Sequence, residues 1–147
     1  METIEAKVLW VENMHFVGQA EGGPAVSMDA KPEGGGQRRG LTPMELLLVA
    51  LGGCTAMDVI SILKKKRQNP QRFEVHLRGM KKEEHPRAYQ TVEITYHLWG
   101  SDLDYPSALR ALELSEEKYC AVGASLKEQV EIKSSLSLHS SAPGLIP

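Results

Sequence analysis

The chain has 147 residues, a net charge of −2 at neutral pH, 41 % apolar and 24 % charged residues. That composition belongs to a folded globular chain and excludes a disordered one. The charge supplies no cationic footprint for nucleic acid, and two cysteines cannot build a disulfide scaffold.

The N-terminus, Met1-Glu2-Thr3-Ile4-Glu5, lacks a basic region followed by an apolar run, so a cytoplasmic location is expected. In that compartment paired structural disulfides are rare, and cysteines are more often reduced, buried or redox-active. Thr3–Glu12 is predicted as a strand. His15–Ala20 and Ala25–Ala30 follow as two more, joined by the turn Glu21-Gly22-Gly23-Pro24. Lys31–Gly40 is glycine-rich and ends in Gln37-Arg38-Arg39-Gly40, a loop.

A long helix begins next. Thr42 is placed to cap it, Pro43 takes the first helical position, and Glu45 completes a T-x-x-E capping box. Lys64-Lys65-Lys66-Arg67 places cations at its C-terminal end, where the macrodipole favours them, and Asn69-Pro70 stops it. Met44–Leu63 is as long as a membrane span. It nevertheless contains Glu45, Asp58 and Ser61, and an aspartate at mid-span costs about 2.5–3.5 kcal/mol. The stretch therefore reads as a buried helix, with no membrane partner.

Arg72–Lys82 and Tyr89–Trp99 alternate apolar and polar residues, the second with Val92, Ile94, Tyr96 and Leu98 on one face. They form a hairpin with one wet face. A helix from Asp104 to about Lys118, a short helix from Cys120 to Gln129 and a last strand, Val130–His139, complete the order β-β-β-α-β-β-α-α-β. This is an α+β pattern. Residues 1–139 form one domain, and 140–147 read as a loose tail.

Cys54 sits mid-helix and Cys120 opens the short helix, too far apart in sequence for a C-x-x-C motif or a zinc pair. Each, taken alone, fits a small buried hydrophobe as well as a nucleophile. The five histidines are scattered and read as surface residues. No metal or cofactor is expected.

The segment Leu41-Thr42-Pro43-Met44-Glu45-Leu46-Leu47-Leu48-Val49-Ala50-Leu51-Gly52-Gly53-Cys54, with Glu117-Lys118-Tyr119-Cys120-Ala121-Val122, resembles the OsmC/Ohr family. The resemblance implies antiparallel sheets wrapped around a long central helix in an intertwined homodimer, with active sites at the subunit interface. It also implies a thiol peroxidase. Cys54 would attack an organic hydroperoxide and become a sulfenic acid, Cys120 would condense with it to a disulfide, and an external dithiol would restore both thiols. The alternative is a binding or carrier module on the same fold, holding a small apolar ligand.

Three features depart from the peroxidase branches and point to the OsmC-like redox branch. The early turn carries no arginine, so Arg38 and Arg39 are the candidate cations. Met44 stands where those branches place glutamate, and Glu45 comes next. Glu45 lies more than about 13 Å from Cys54 along the helix and on the opposite side, so it reaches a Cys54 only from a partner chain. Asp58, four residues after Cys54, shares its face. It either pairs with Lys65 or a loop arginine and positions a cation near Cys54, or it opposes the thiolate. If the short helix starts at Cys120, helix N–H groups favour that thiolate.

Overall fold

The computed structural model describes residues 1–141. From residue 142 on, the expected tail lies outside the described residues. Chain contacts separate two units, Met1–Leu47 and a second from Leu48 onward.

The first unit holds an antiparallel sheet in the order β1-β2-β3: β1 (Ala6–Glu12), β2 (His15–Ala20) and β3 (Ala25–Met28). Val8 faces Gly18 and Phe16 faces Met28 across the ladders. β3 stops earlier than its sequence pattern predicts because Asp29 turns its side chain onto the following loop. Its buried carboxylate accepts N–H groups of Ala30 (2.8 Å), Gln37 (3.2 Å) and Arg39 (3.0 Å). The loop closes tightly enough that a Cβ on Gly36 would stand 1.9 Å from the Ala30 carbonyl oxygen. β1 leaves Leu9 54 % and Trp10 66 % exposed.

Helix α1 (Pro43–Lys65) starts in this unit and continues through the second. The capping box forms as expected: Glu45 N–H donates to Thr42 Oγ1 (3.2 Å), and Thr42 N–H to Glu45 Oε1 (3.0 Å). Leu51, Thr55, Val59 and Leu63, spaced by four, make its buried stripe. The helix is long and apolar enough to cross a membrane. Only 28 % of its most apolar stretch is buried.

In the second unit, β4 (Arg72–Lys81), β5 (Tyr89–Trp99) and β6 (Glu131–His139) form a sheet in that order. The alternation read in β5 holds, with Val92, Ile94, Tyr96 and Leu98 at 2 % exposure or less. α1 lies close against β4: a Cβ on Gly52 would meet Leu77 Cδ1 at 2.6 Å. β4 and β5 are antiparallel, but β5 and β6 run parallel, so this sheet is mixed rather than wholly antiparallel. A parallel neighbour needs a long crossover. Here α2 (Tyr105–Leu114), a π-helical turn (Ser115–Tyr119) and α3 (Ala121–Leu126) carry the chain back. Asp104 caps α2 by accepting the Ser107 N–H at 3.0 Å. The mixed α+β architecture agrees with the expectation.

Candidate functional site

The crossover and α1 build the site together. Cys54 and Asp58 project from one face of α1 because they are one turn apart. The π-helical turn widens the end of α2, so Cys120 N–H donates to Ser115 O (2.7 Å), five residues back, and α3 begins only at Ala121. Such single π turns recur at functional sites. The turn delivers Ser115 and Cys120 to the interior together. The sulfurs of Cys54 and Cys120 and a carboxylate oxygen of Asp58 lie within 4.8 Å of one another. Cys54 is half-buried and Cys120 buried, and both are free thiols.

The expectation that helix N–H groups favour a Cys120 thiolate needs correcting. Cys120 caps α3, and its sulfur does accept the Gly123 N–H at 3.3 Å. Burial outweighs that donor. With a hydrogen bond to Cys54 and the charges of Cys54 and Asp58 acting in the same direction, it pushes the Cys120 thiol up to about 11.

Asp58 also differs from its first expected arrangement. It accepts a hydrogen bond from Ser115 Oγ (3.0 Å), and among the described residues it forms no ion pair with Lys65 or a loop arginine. Ser115 continues a buried chain of hydroxyls that the sequence pattern did not reveal. Ser115 Oγ contacts Thr55 Oγ1 at 2.8 Å, Thr55 Oγ1 contacts the Tyr96 hydroxyl at 2.8 Å, and Tyr96 donates to Glu116 Oε1 at 2.9 Å. Ser134 Oγ donates to the same glutamate oxygen. Burial holds the Tyr96 phenol well above its usual range. A sign in the sequence was available: Thr55, Tyr96 and Ser115 interrupt otherwise apolar buried faces, and buried hydroxyls need partners.

A cavity of about 390 Å³ opens beside this chain, lined by Leu51, Thr55, Ile94, Cys120, Val130 and Ile132 among others. Cys54 does not line it.

The loop candidates fall in the first unit. Arg38, at a left-handed φ of 56°, forms a two-pronged ion pair with Glu45, one arm at 2.6 Å. That pairing, with the Thr42 donors, holds the Glu45 carboxyl far below its usual range. Arg39 pairs with Glu12 at 2.5 Å. Within the chain, both guanidinium groups are therefore engaged by carboxylates, and Glu45 carries its capping role in full.

The histidines read as scattered do not all stay apart. His76, His97 and His139 meet on one face of the β4-β5-β6 sheet, with His97 Nδ1 3.1 Å from His139 Nε2 and the His76 and His97 rings 4.8 Å apart. Burial and the two neighbouring imidazoles lower the His97 pKa. Strand register, invisible in the linear spacing, makes this cluster.

Residues 34–135 match a family described as OsmC-like protein. Protein YhfA of Escherichia coli (strain K12) is 39 % identical over 129 residues, covering 88 % of this chain and 93 % of that protein. A solved structure of a hypothetical protein from Aquifex aeolicus VF5 is 35 % identical and superposes with a TM-score of 0.82, covering 94 % of this chain and 97 % of that one. An organic hydroperoxide resistance protein OsmC from Legionella pneumophila shares the fold at 16 % identity, with a TM-score of 0.70 over 93 % of this chain and 98 % of that one.

Proposed function

The chain belongs to the OsmC family, and from that premise we propose that it is a thiol-dependent peroxidase acting on organic hydroperoxides in the reducing cytoplasm, in defence against oxidative stress. The observation that carries the reading is the approach of two free sulfurs, 66 residues apart in sequence, to within 4.8 Å. A disulfide spans about 2.05 Å between sulfurs, so side-chain rotation and a small shift of the Cys120 turn close the gap. The name of the Legionella pneumophila structure supports the peroxide class.

Burial distinguishes the two cysteines. The half-buried Cys54 is the one a hydroperoxide reaches. Its thiolate attacks the terminal peroxide oxygen, the O–O bond breaks, and the departing alkoxide takes a proton to leave as the alcohol. Cys54 is then a sulfenic acid. The shielded Cys120, held as a neutral thiol, gives up its proton as its sulfur attacks Cys54 and water leaves. An external dithiol reduces the disulfide. Arg38, Arg39 and Glu45 remain candidate activating groups for Cys54.

The functional unit in this reading is a homodimer. The exposure of Trp10 (66 %) and Met57 (75 %), and the low burial of α1, leave more apolar surface than an isolated chain commonly shows. A second chain covering α1 accounts for its apolarity without a membrane.

One stoichiometric addition of cumene hydroperoxide to reduced protein tests the reading. Both thiols are lost together and a Cys54–Cys120 disulfide appears. Cys54→Ser consumes no peroxide, and Cys120→Ser accumulates a sulfenic acid on Cys54. If wild-type protein keeps both thiols through prolonged excess peroxide, the peroxidase reading fails. The cavity beside Cys120, where apolar side chains meet Glu116, Glu117, Lys127 and Glu131, is then the place to test the second reading, a binding module for a small ligand.

A further inference from the structure

The cluster of Cys54, Cys120 and Asp58 does more than bring two sulfurs together. It adds a carboxylate, and the three donor atoms come from two separate parts of the chain to within 4.8 Å of one another. We propose that the reduced chain binds a thiophilic divalent cation, zinc in the first instance, through Cys54 Sγ, Cys120 Sγ and the Asp58 carboxylate, and that the metal and the disulfide are alternative states of the same residues.

Three observations carry this. The first is donor chemistry and spacing. Two thiolates and a carboxylate form a ligand set that zinc accepts, with bonds of about 2.3 Å to sulfur and about 2.0–2.2 Å to oxygen. In a tetrahedron those lengths put neighbouring donors roughly 3.6–3.8 Å apart, a separation compatible with the observed cluster. Cys54 and Asp58, one turn apart on the same helix, present two of the three donors from one face.

The second is the set of hydrogen bonds behind the donors. Ser115 Oγ donates to Asp58 Oδ2, and Gly123 N–H donates to Cys120 Sγ. Groups that donate to a metal's ligands fix their orientation, and losing them commonly costs 10–100-fold in metal affinity. Ser115 is in turn tied to the buried Thr55–Tyr96 hydroxyls, so the carboxylate is anchored to the core.

The third is charge. Ionising both thiols beside Asp58 would gather three negative charges in a partly buried place. Among the described residues, no cation pairs with Asp58. Metal binding would displace the thiol protons, and the dication would offset the charge this leaves on the donors. Three protein ligands leave a fourth position for water or a small ligand, the pattern of open rather than closed zinc sites.

Oxidation then releases the metal. Two thiolates, one hydroperoxide and two protons give the disulfide, the alcohol and water; two electrons pass from the sulfurs to the peroxide, and zinc loses both sulfur ligands. This release rests on the peroxidase reading, whereas the binding does not.

The test uses the reduced full-length chain, free of metal and handled without oxygen. Zinc is titrated in competition with a chromogenic chelator, and cobalt(II) reports sulfur ligation through its thiolate charge-transfer absorption. The expected result is about one metal per chain, with the charge-transfer band present. Cys54→Ser and Cys120→Ser each weaken binding at least about 100-fold. Asp58→Asn weakens it about 10-fold or more while both thiols still titrate and the circular dichroism is unchanged. His97→Ala leaves binding unaltered, which separates this site from the imidazole cluster. No zinc uptake by wild-type protein with both thiols free overturns the proposal. So does uptake that survives the double cysteine variant and is lost in His97→Ala. Zinc that binds through the sulfurs but stays bound after hydroperoxide treatment upholds the site and overturns the release.

Discussion

Thr55→Val removes one hydroxyl from the middle of the buried chain at almost constant shape. Thr55 is 1 % exposed, and its Oγ1 lies 2.8 Å from both the Tyr96 hydroxyl and Ser115 Oγ. Tyr96 gives its hydrogen to Glu116, and Ser115 gives its hydrogen to Asp58. Thr55 therefore has a single hydrogen for two oxygens, and only one of its two contacts is a full hydrogen bond. Neither neighbour loses its only partner in the variant. The loss is then one neutral hydrogen bond, about 1 kcal/mol, plus part of the cost of placing a methyl against two hydroxyl oxygens. The total comes to about 1–2 kcal/mol. Valine and threonine have similar helix propensities, so α1 adds little. For a chain of this size that is a fall in Tm of about 2–8 °C. Urea unfolding of the reduced protein should show a lower midpoint at unchanged slope. Double-mutant cycles with Tyr96→Phe and with Ser115→Ala should give a coupling of at least about 0.5 kcal/mol for the neighbour that receives the Thr55 hydrogen. Thr55→Val as stable as wild type, with no coupling to either Tyr96 or Ser115, would refute the hydroxyl chain.

Thr42→Ala removes the acceptor of the Glu45 N–H and should destabilise the protein by about 0.5–2 kcal/mol in urea unfolding. Asp29→Asn tests the loop through pH. Backbone N–H donors depress the Asp29 pKa, so its contribution is complete above the ordinary carboxylate value of 3.8 and disappears as pH falls through the folded value; the stability gap between wild type and variant should be constant near neutrality and close in acid. Gly36→Ala forces a methyl against the Ala30 carbonyl and should cost about 1–3 kcal/mol, read by thermal unfolding. Arg38→Ala and Arg39→Ala together should slow hydroperoxide oxidation of Cys54, followed by thiol titration; an unchanged rate removes that loop from the chemistry. Light scattering should give about twice 16.2 kDa for the dimer.

The sequence alone determined whatever depends on neighbours within a turn or a strand. The capping box at Thr42 and Glu45, the alternation of Val92, Ile94, Tyr96 and Leu98, and the shared face of Cys54 and Asp58 are local patterns, and each appears in the structure. The tertiary structure decided what depends on register and crossover. It runs β6 parallel to β5, gathers His76, His97 and His139 on one sheet face, and gives Asp58 a serine partner in place of a cation. It also makes Cys120 a buried cap whose desolvation outweighs its helix N–H donor. Those outcomes are set by which distant segments meet and how much water they exclude, and both are products of packing that no local spacing encodes.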